Sequence, residues 1–129
     1  MTQDWRKLPL SSPFQGRVQC PWVPAGIVID IAEGIYFDIR ATDNSICNIL
    51  APRNVPPLWG FGTSIIISVS NAVGGPMGNI VFDEVSANGY RLGGASSKPA
   101  NNNTRNYNFH WSGVCWHETS RVNADIPTT

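Results

Sequence analysis

Arg105-Asn106-Tyr107-Asn108-Phe109-His110-Trp111, then Ser112-Gly113, then Val114-Cys115-Trp116-His117-Glu118-Thr119-Ser120-Arg121: this stretch decides the fold. In its first half Tyr107, Phe109 and Trp111 alternate with Asn106, Asn108 and His110. Alternation with period two places aromatic rings on one face of a strand and polar groups on the other. Ser-Gly between two such runs predicts a hairpin with a two-residue turn. That register pairs Trp111 with Val114, Phe109 with Trp116 and Tyr107 with Glu118, and stacks aromatic side chains on the buried face. Asn108, His110, Cys115 and His117 fall on the opposite face, with His110 across from Cys115.

Working outward, the same short strand-like runs recur between Gly and Pro punctuation. Ser64-Ile65-Ile66-Ile67-Ser68-Val69-Ser70 reads as a strand buried on both faces. Ile35, Phe37 and Ile39 alternate with Tyr36, Asp38 and Arg40. With Glu33-Gly34 as a turn, this run is expected to form a hairpin with residues 27–32. Further strands are expected at residues 17–20, 46–50, 79–84 and 90–92, the last two around Asn88-Gly89. Residues 51–63, with Pro52, Pro56 and Pro57, and residues 93–103 read as long loops. No window keeps a helical period. The sequence therefore predicts an all-β fold, an antiparallel β-sandwich or jelly roll of about eight or nine short strands. The expected organisation is an N-terminal arm over residues 1–16, anchored by Trp5, a sandwich over 17–123 and a frayed tail over 124–129.

Composition narrows the function classes. Charged residues are only 14% of the 129, with 9 basic and 9 acidic, and Lys7 and Lys98 are the only lysines. Binding nucleic acid through its phosphates needs clustered cations, so no nucleic-acid partner is expected. No apolar run approaches the ~20 residues that cross a bilayer, and the first residues lack a signal-peptide pattern. Cys20, Cys47 and Cys115 are too few and of odd number for a disulfide framework. They read as reduced, mostly buried thiols.

No catalytic constellation is legible. No serine lies in a nucleophile-elbow pattern, the acids are scattered, and the neighbours Asp83 and Glu84 point to opposite strand faces. Gly74 to Gly78 has no P-loop lysine. His110, Cys115 and His117 share a face but lack a fourth metal ligand, so neither a metal nor another cofactor is expected. Asn102-Asn103-Thr104 matches a glycosylation sequon in a chain with no secretion signal. Sugar recognition uses a flat apolar ring with fixed polar groups. On that basis Trp59, Arg53, Asn101, Asn102 and Tyr90 are the candidate ligand-binding residues, with Trp22 and Phe61 as further loop or strand-end aromatics. Their loops are expected at one end of the sandwich.

Residues 26–121 carry a family pattern: Gly62-Thr63-Ser64-Ile65-Ile66-Ile67, Asn79-Ile80-Val81-Phe82-Asp83, Gly89-Tyr90-Arg91-Leu92, and the hairpin ending Trp116-His117-Glu118-Thr119-Ser120-Arg121. In this order they resemble the small β-sandwich domains of phage tail fibres, tailspikes and head fibres. The resemblance implies a homotrimeric module on a virion that helps it attach to a host through a surface glycan or other receptor, without catalysis. Two alternatives remain from the residues themselves: a free-standing microbial lectin or carbohydrate-binding module, and a small hydrolase.

Overall fold

The structure is a computed structural model and describes residues 17–55, 63–122 and 126–127. Among these residues the chain forms β1 (Val18–Cys20), β2 (Tyr36–Ala41), β3 (Cys47–Ile49), β4 (Ser64–Asn71) and β5 (Ile80–Phe82). It continues with β6 (Tyr90–Arg91), β7 (Asn103–Trp111), β8 (Trp116–Arg121) and β9 (Ile126–Pro127). The described residues contain a single 3-10 turn at Ile31–Glu33 and no α-helix. The fold is the all-β sandwich that the alternation predicts. The larger sheet runs β1-β2-β4-β7-β8-β6, with β9 also on β7, and the smaller is β3-β5.

The core lies between the two sheets. Phe37, Ile39, Ile65, Ile67, Val69, Tyr107 and Phe109 point in from the larger one, and Cys47, Ile49, Ile80 and Phe82 from the smaller. Phe82 reaches across the layers, with its ring centroid 5.0 Å from Tyr107 and 5.3 Å from Phe109. Such tilted and edge-on ring pairs add to the burial of their area.

Strand pairing is mixed rather than wholly antiparallel. β1 with β2, β2 with β4, β6 with β8 and β3 with β5 run parallel, whereas β7 runs antiparallel to β4, β8 and β9. Parallel neighbours need a crossover. Here the chain supplies it by alternating between layers. From β1 it visits the smaller sheet at Ile27, which bridges Ile49, and Asp30, which bridges Arg53, before returning as β2. It then crosses to β3, back to β4, out to β5 and back to β6. This excursion corrects the expected hairpin at Glu33-Gly34. Residues 27–30 form isolated bridges rather than a strand, and Asp30 caps the 3-10 turn by accepting from the Ala32 N–H at 3.0 Å. At the far end of the smaller sheet the connecting segments touch backbone to backbone. A Cβ at Gly78 would collide with the Ser45 carbonyl oxygen, so only glycine fits there.

The last hairpin exists but turns later. Trp111 faces Trp116, His110 faces His117 and Phe109 faces Glu118; a bulge follows, after which Asn108 faces Ser120 and Tyr107 faces Arg121. Ser112 is the cause. Its N–H donates to the Cys115 carbonyl at 3.0 Å, and its hydroxyl accepts from the Val114 and Cys115 N–H groups, closing a four-residue turn with Gly113 at φ 96°. Moving Trp116 to face Trp111 rather than Phe109 is a shift of two residues, so Trp116 keeps its inward face. Val114, expected to face Trp111, instead stands 65% exposed in the turn, Cys115 is buried, and the bulge turns Arg121 rather than Ser120 toward Tyr107. Tyr107, Phe109, Trp111 and Trp116 are accordingly all buried, as the alternation predicts. The tail is corrected too: Ile126 and Pro127 pair with Thr104 and Asn103 as a strand.

The Asp83 carboxylate organises the turn between β5 and β6. It accepts from the Ser86 N–H at 3.0 Å, the Val85 N–H at 2.9 Å and the Ser86 hydroxyl at 2.7 Å. Hydrogen bonds from Ser86, chiefly, hold its pKa below the ordinary value. A carboxyl with a depressed folded pKa stabilises the fold above its unfolded pKa, and loses that contribution as pH falls through the folded one. Wild type should therefore lose melting temperature below about pH 4, around the ordinary Asp pKa. Asp83→Asn should be less stable than wild type at pH 7, with the gap closing in acid. Parallel pH-melting curves for the two would expose an unchanged gap and so a carboxylate with no such role.

Candidate functional site

The outward residues of the larger sheet form continuous rows because the strands are in register. Gln19 lies beside Asp38, Asp38 beside Ser68, and Ser68 beside Asn106. In the next row Arg40 lies beside Ser70, and Ser70 beside Thr104. Tyr36 occupies the row on the other side. Together with Arg17 and Asn102 these rows line a trough of about 420 Å³, to which Ile126 and Pro127 of β9 also contribute. That volume lies within the range of small-ligand sites.

The floor is polar and partly tied down. Asp38 is only 8% exposed. Its carboxylate accepts from Gln19 Nε2 at 2.6 Å and lies 3.4 Å from Arg17 Nη1. Ser70 Oγ and Thr104 Oγ1 are 2.7 Å apart. Asn106 Oδ1 is buried and has no hydrogen-bond partner among the described residues. The rim beside Arg40 is shaped by Asn71, which is 1% exposed. Its amide donates to the Gly75 and Pro99 carbonyls and accepts from the Val73 N–H. The Asn71 carbonyl then accepts from the Asn102 N–H at 2.9 Å. Asn102 itself sits at φ 64°, a left-handed conformation that asparagine tolerates better than most residues.

The sequence-derived candidates separate. Asn102 lines the trough, whereas the Asn101 side chain accepts from the Gly74 N–H at 2.9 Å. Arg53 lies at the other end of the sandwich. Its neighbour Pro52 accepts from Asn88, Gly89 accepts from the Trp116 N–H, and Trp111 across from Trp116 donates to the Thr63 carbonyl. Between that end and Asn71 runs the whole of β4, roughly 25 Å at 3.3 Å per residue. Tyr90 is a correction: it is fully buried, its hydroxyl donates to the Leu50 carbonyl at 2.9 Å, and burial raises its pKa well above the ordinary value. It presents nothing to a ligand. Trp59 and Phe61 lie outside the described residues, and Trp22 packs half-buried against the core.

Cys115 Sγ lies 3.4 Å from His117 Nε2, and His110 faces His117 rather than Cys115. Among the described residues no group of three or more His, Cys, Asp or Glu is placed to hold a metal. The three cysteines are free and buried. Burial pushes the Cys20 and Cys47 thiols up to about 12, the opposite of what a nucleophile needs.

Sequence reasoning missed Tyr36, Asp38, Arg40, Gln19 and Asn106 as site residues. The signal was present for the first three, whose alternation with Ile35, Phe37 and Ile39 marks them as outward-facing. Which strands flank them was not legible. No protein-family model, curated protein or solved structure matches the chain.

Proposed function

We propose that this protein is a recognition module that binds a glycan in the outer-face trough without turning it over. One observation carries the reading: the in-register row Gln19–Asp38–Ser68–Asn106, flanked by Tyr36, Arg40 and Asn102, lines a single trough. Amides, hydroxyls and a carboxylate supply donors and acceptors for sugar hydroxyls, and a tyrosine ring supplies an apolar face. Strands hold such groups more rigidly than loops do, which lowers the ordering cost of binding. Hydrolysis of a glycoside ordinarily uses two carboxyl groups, and Asp38 is the one carboxylate among the described lining residues, which favours binding over catalysis.

The setting is the one implied by the resemblance of residues 26–121: a homotrimeric attachment module on a virion. Self-association has support in the outer face of the smaller sheet. There Ile46, Leu50 and Val81 are each 41–52% exposed, and apolar patches of this kind mark contact surfaces. Three weak sites on one trimer would gain avidity.

Light scattering and a glycan array together test the proposal. The expected mass is three chains, and Tyr36→Ala and Asp38→Asn, once shown to be folded, should each weaken glycan binding about tenfold or more, the first by losing the ring face and the second by losing a charged hydrogen bond. Binding unchanged in both variants would remove the trough. A monomer mass with binding intact would remove the fibre setting and leave a free-standing lectin.

A further inference from the structure

The charges in the trough are uneven, and the imbalance has a location. Two guanidinium groups, Arg17 and Arg40, and one carboxylate, Asp38, are among its lining residues. Arg17 is 3.4 Å from Asp38, so these two charges offset one another. Arg40 is exposed and forms no ion pair or hydrogen bond with any described residue. Across the sheet from it stand Ser70 and Thr104. When two hydroxyls bond to one another, one hydrogen lies between them, and the hydrogen of the accepting hydroxyl stays free to donate outward. This end of the trough therefore combines an uncompensated cation with a free hydroxyl donor. The other end holds Tyr36 and the Asp38–Gln19 pair. Tyr36 and Arg40 are four residues apart on one strand face, roughly 13 Å.

We propose that the glycan bound in this trough carries a carboxylate, and that Arg40 receives it; the inference rests on the trough being the glycan site. One ring of the bound oligosaccharide lies toward Tyr36, hydroxyls along it meet the Asp38 row, and the carboxylate of a neighbouring ring sits at Arg40 between the guanidinium fork and the Ser70–Thr104 hydroxyls. A guanidinium matches a carboxylate in geometry as well as charge, because two parallel N–H groups meet two oxygens. A neutral sugar would offer that cation hydroxyl oxygens but no counter-charge.

The test uses the full chain on a panel of acidic oligosaccharides: oligogalacturonate, hyaluronan fragments and oligosialate. Each is paired with its carboxyl-reduced counterpart, and neutral and sulfated glycans are included. The strongest ligand should be a carboxylated one, and its affinity should fall with added salt. Carboxyl reduction and Arg40→Gln should each weaken binding about 10- to 100-fold. The two losses should not add, so the reduced sugar should bind wild type and Arg40→Gln alike. Arg40→Lys should restore only part of the affinity, since the charge returns without the fork. Neutral or sulfated glycans binding best, or Arg40→Gln weakening the acid and its reduced form equally, would overturn the carboxylate assignment while leaving the trough as a glycan site. Absence of glycan binding, or binding that survives both Tyr36→Ala and Asp38→Asn, would remove the site itself and the inference with it.

Discussion

Trp116→Ala should cost about 3–5 kcal/mol, the usual range for truncating a core aromatic to alanine, and lower the melting temperature by roughly 10–20 °C. Trp116 is fully buried, and its ring centroid lies 5.0 Å from that of Trp111 across the hairpin. Its backbone N–H donates to the Gly89 carbonyl and ties β6 to the hairpin, a bond that alanine keeps, so the variant reports the loss of the buried indole alone. The control is Val114→Ala. In a two-residue turn Val114 would face Trp111, but it is 65% exposed within the four-residue turn. Its truncation should shift stability by no more than about 0.5 kcal/mol, as for ordinary surface changes. Thermal melts of the two variants discriminate the registers. A near-native Trp116→Ala, or a strongly destabilised Val114→Ala, would contradict the buried face described above.

Arg121→Ala should be nearly as damaging, at about 3 kcal/mol, because it breaks a buried ion pair from one side. Arg121 Nη2 and Glu118 Oε1 are 2.7 Å apart, with side chains 14% and 6% exposed. The guanidinium also donates to the Ala95 and Gly94 carbonyls and lies 5.2 Å from the Tyr107 ring centroid. Glu118 in turn accepts from the Gly93 N–H at 3.0 Å. The pair therefore straps the segment after β6 onto the sheet. Removing the guanidinium leaves a largely buried carboxylate without its counter-charge, and the Gly94 and Ala95 carbonyls without their donor. Arg121→Ala should speed amide exchange through residues 93–97 beyond the change in global stability. Arg121→Lys should recover part of the stability, since a lysine keeps the charge but not the planar fork. Exchange in 93–97 that rises no more than in β4 would show that the pair acts on the whole fold rather than on this segment. The Glu-x-Ser-Arg ending of the hairpin thus has a structural role, with Glu118 and Arg121 as its two poles.

Alternating residues determined the buried face of β2 and of β7. Phe37 and Ile39 face the core while Tyr36, Asp38 and Arg40 face out, and Tyr107, Phe109 and Trp111 are buried while His110 is not. A strand's faces follow from backbone geometry within a few residues, so they can be read locally. Its neighbours depend on contacts far along the chain. Nothing near Asp38 in sequence shows that Gln19 will lie on one side of it and Ser68 on the other, and the visits to the smaller sheet at Ile27 and β3 decide both. The same limit explains why the loop candidates did not point to the trough. Loops attracted attention through their Trp, Arg and Asn residues, but Tyr90 is buried with its hydroxyl on the Leu50 carbonyl, and Arg53 and Asn102 lie toward opposite ends of the sandwich. The sequence alone therefore determined an all-β chain, the inward and outward residues of β2 and β7 and a weakly charged composition. It did not determine the faces of β4, which reads as buried on both sides but turns Ser68 and Ser70 to the trough. Only the tertiary structure decided that four strands from distant parts of the chain line up their outward residues into one trough, because register is a property of pairs of strands and not of any one of them.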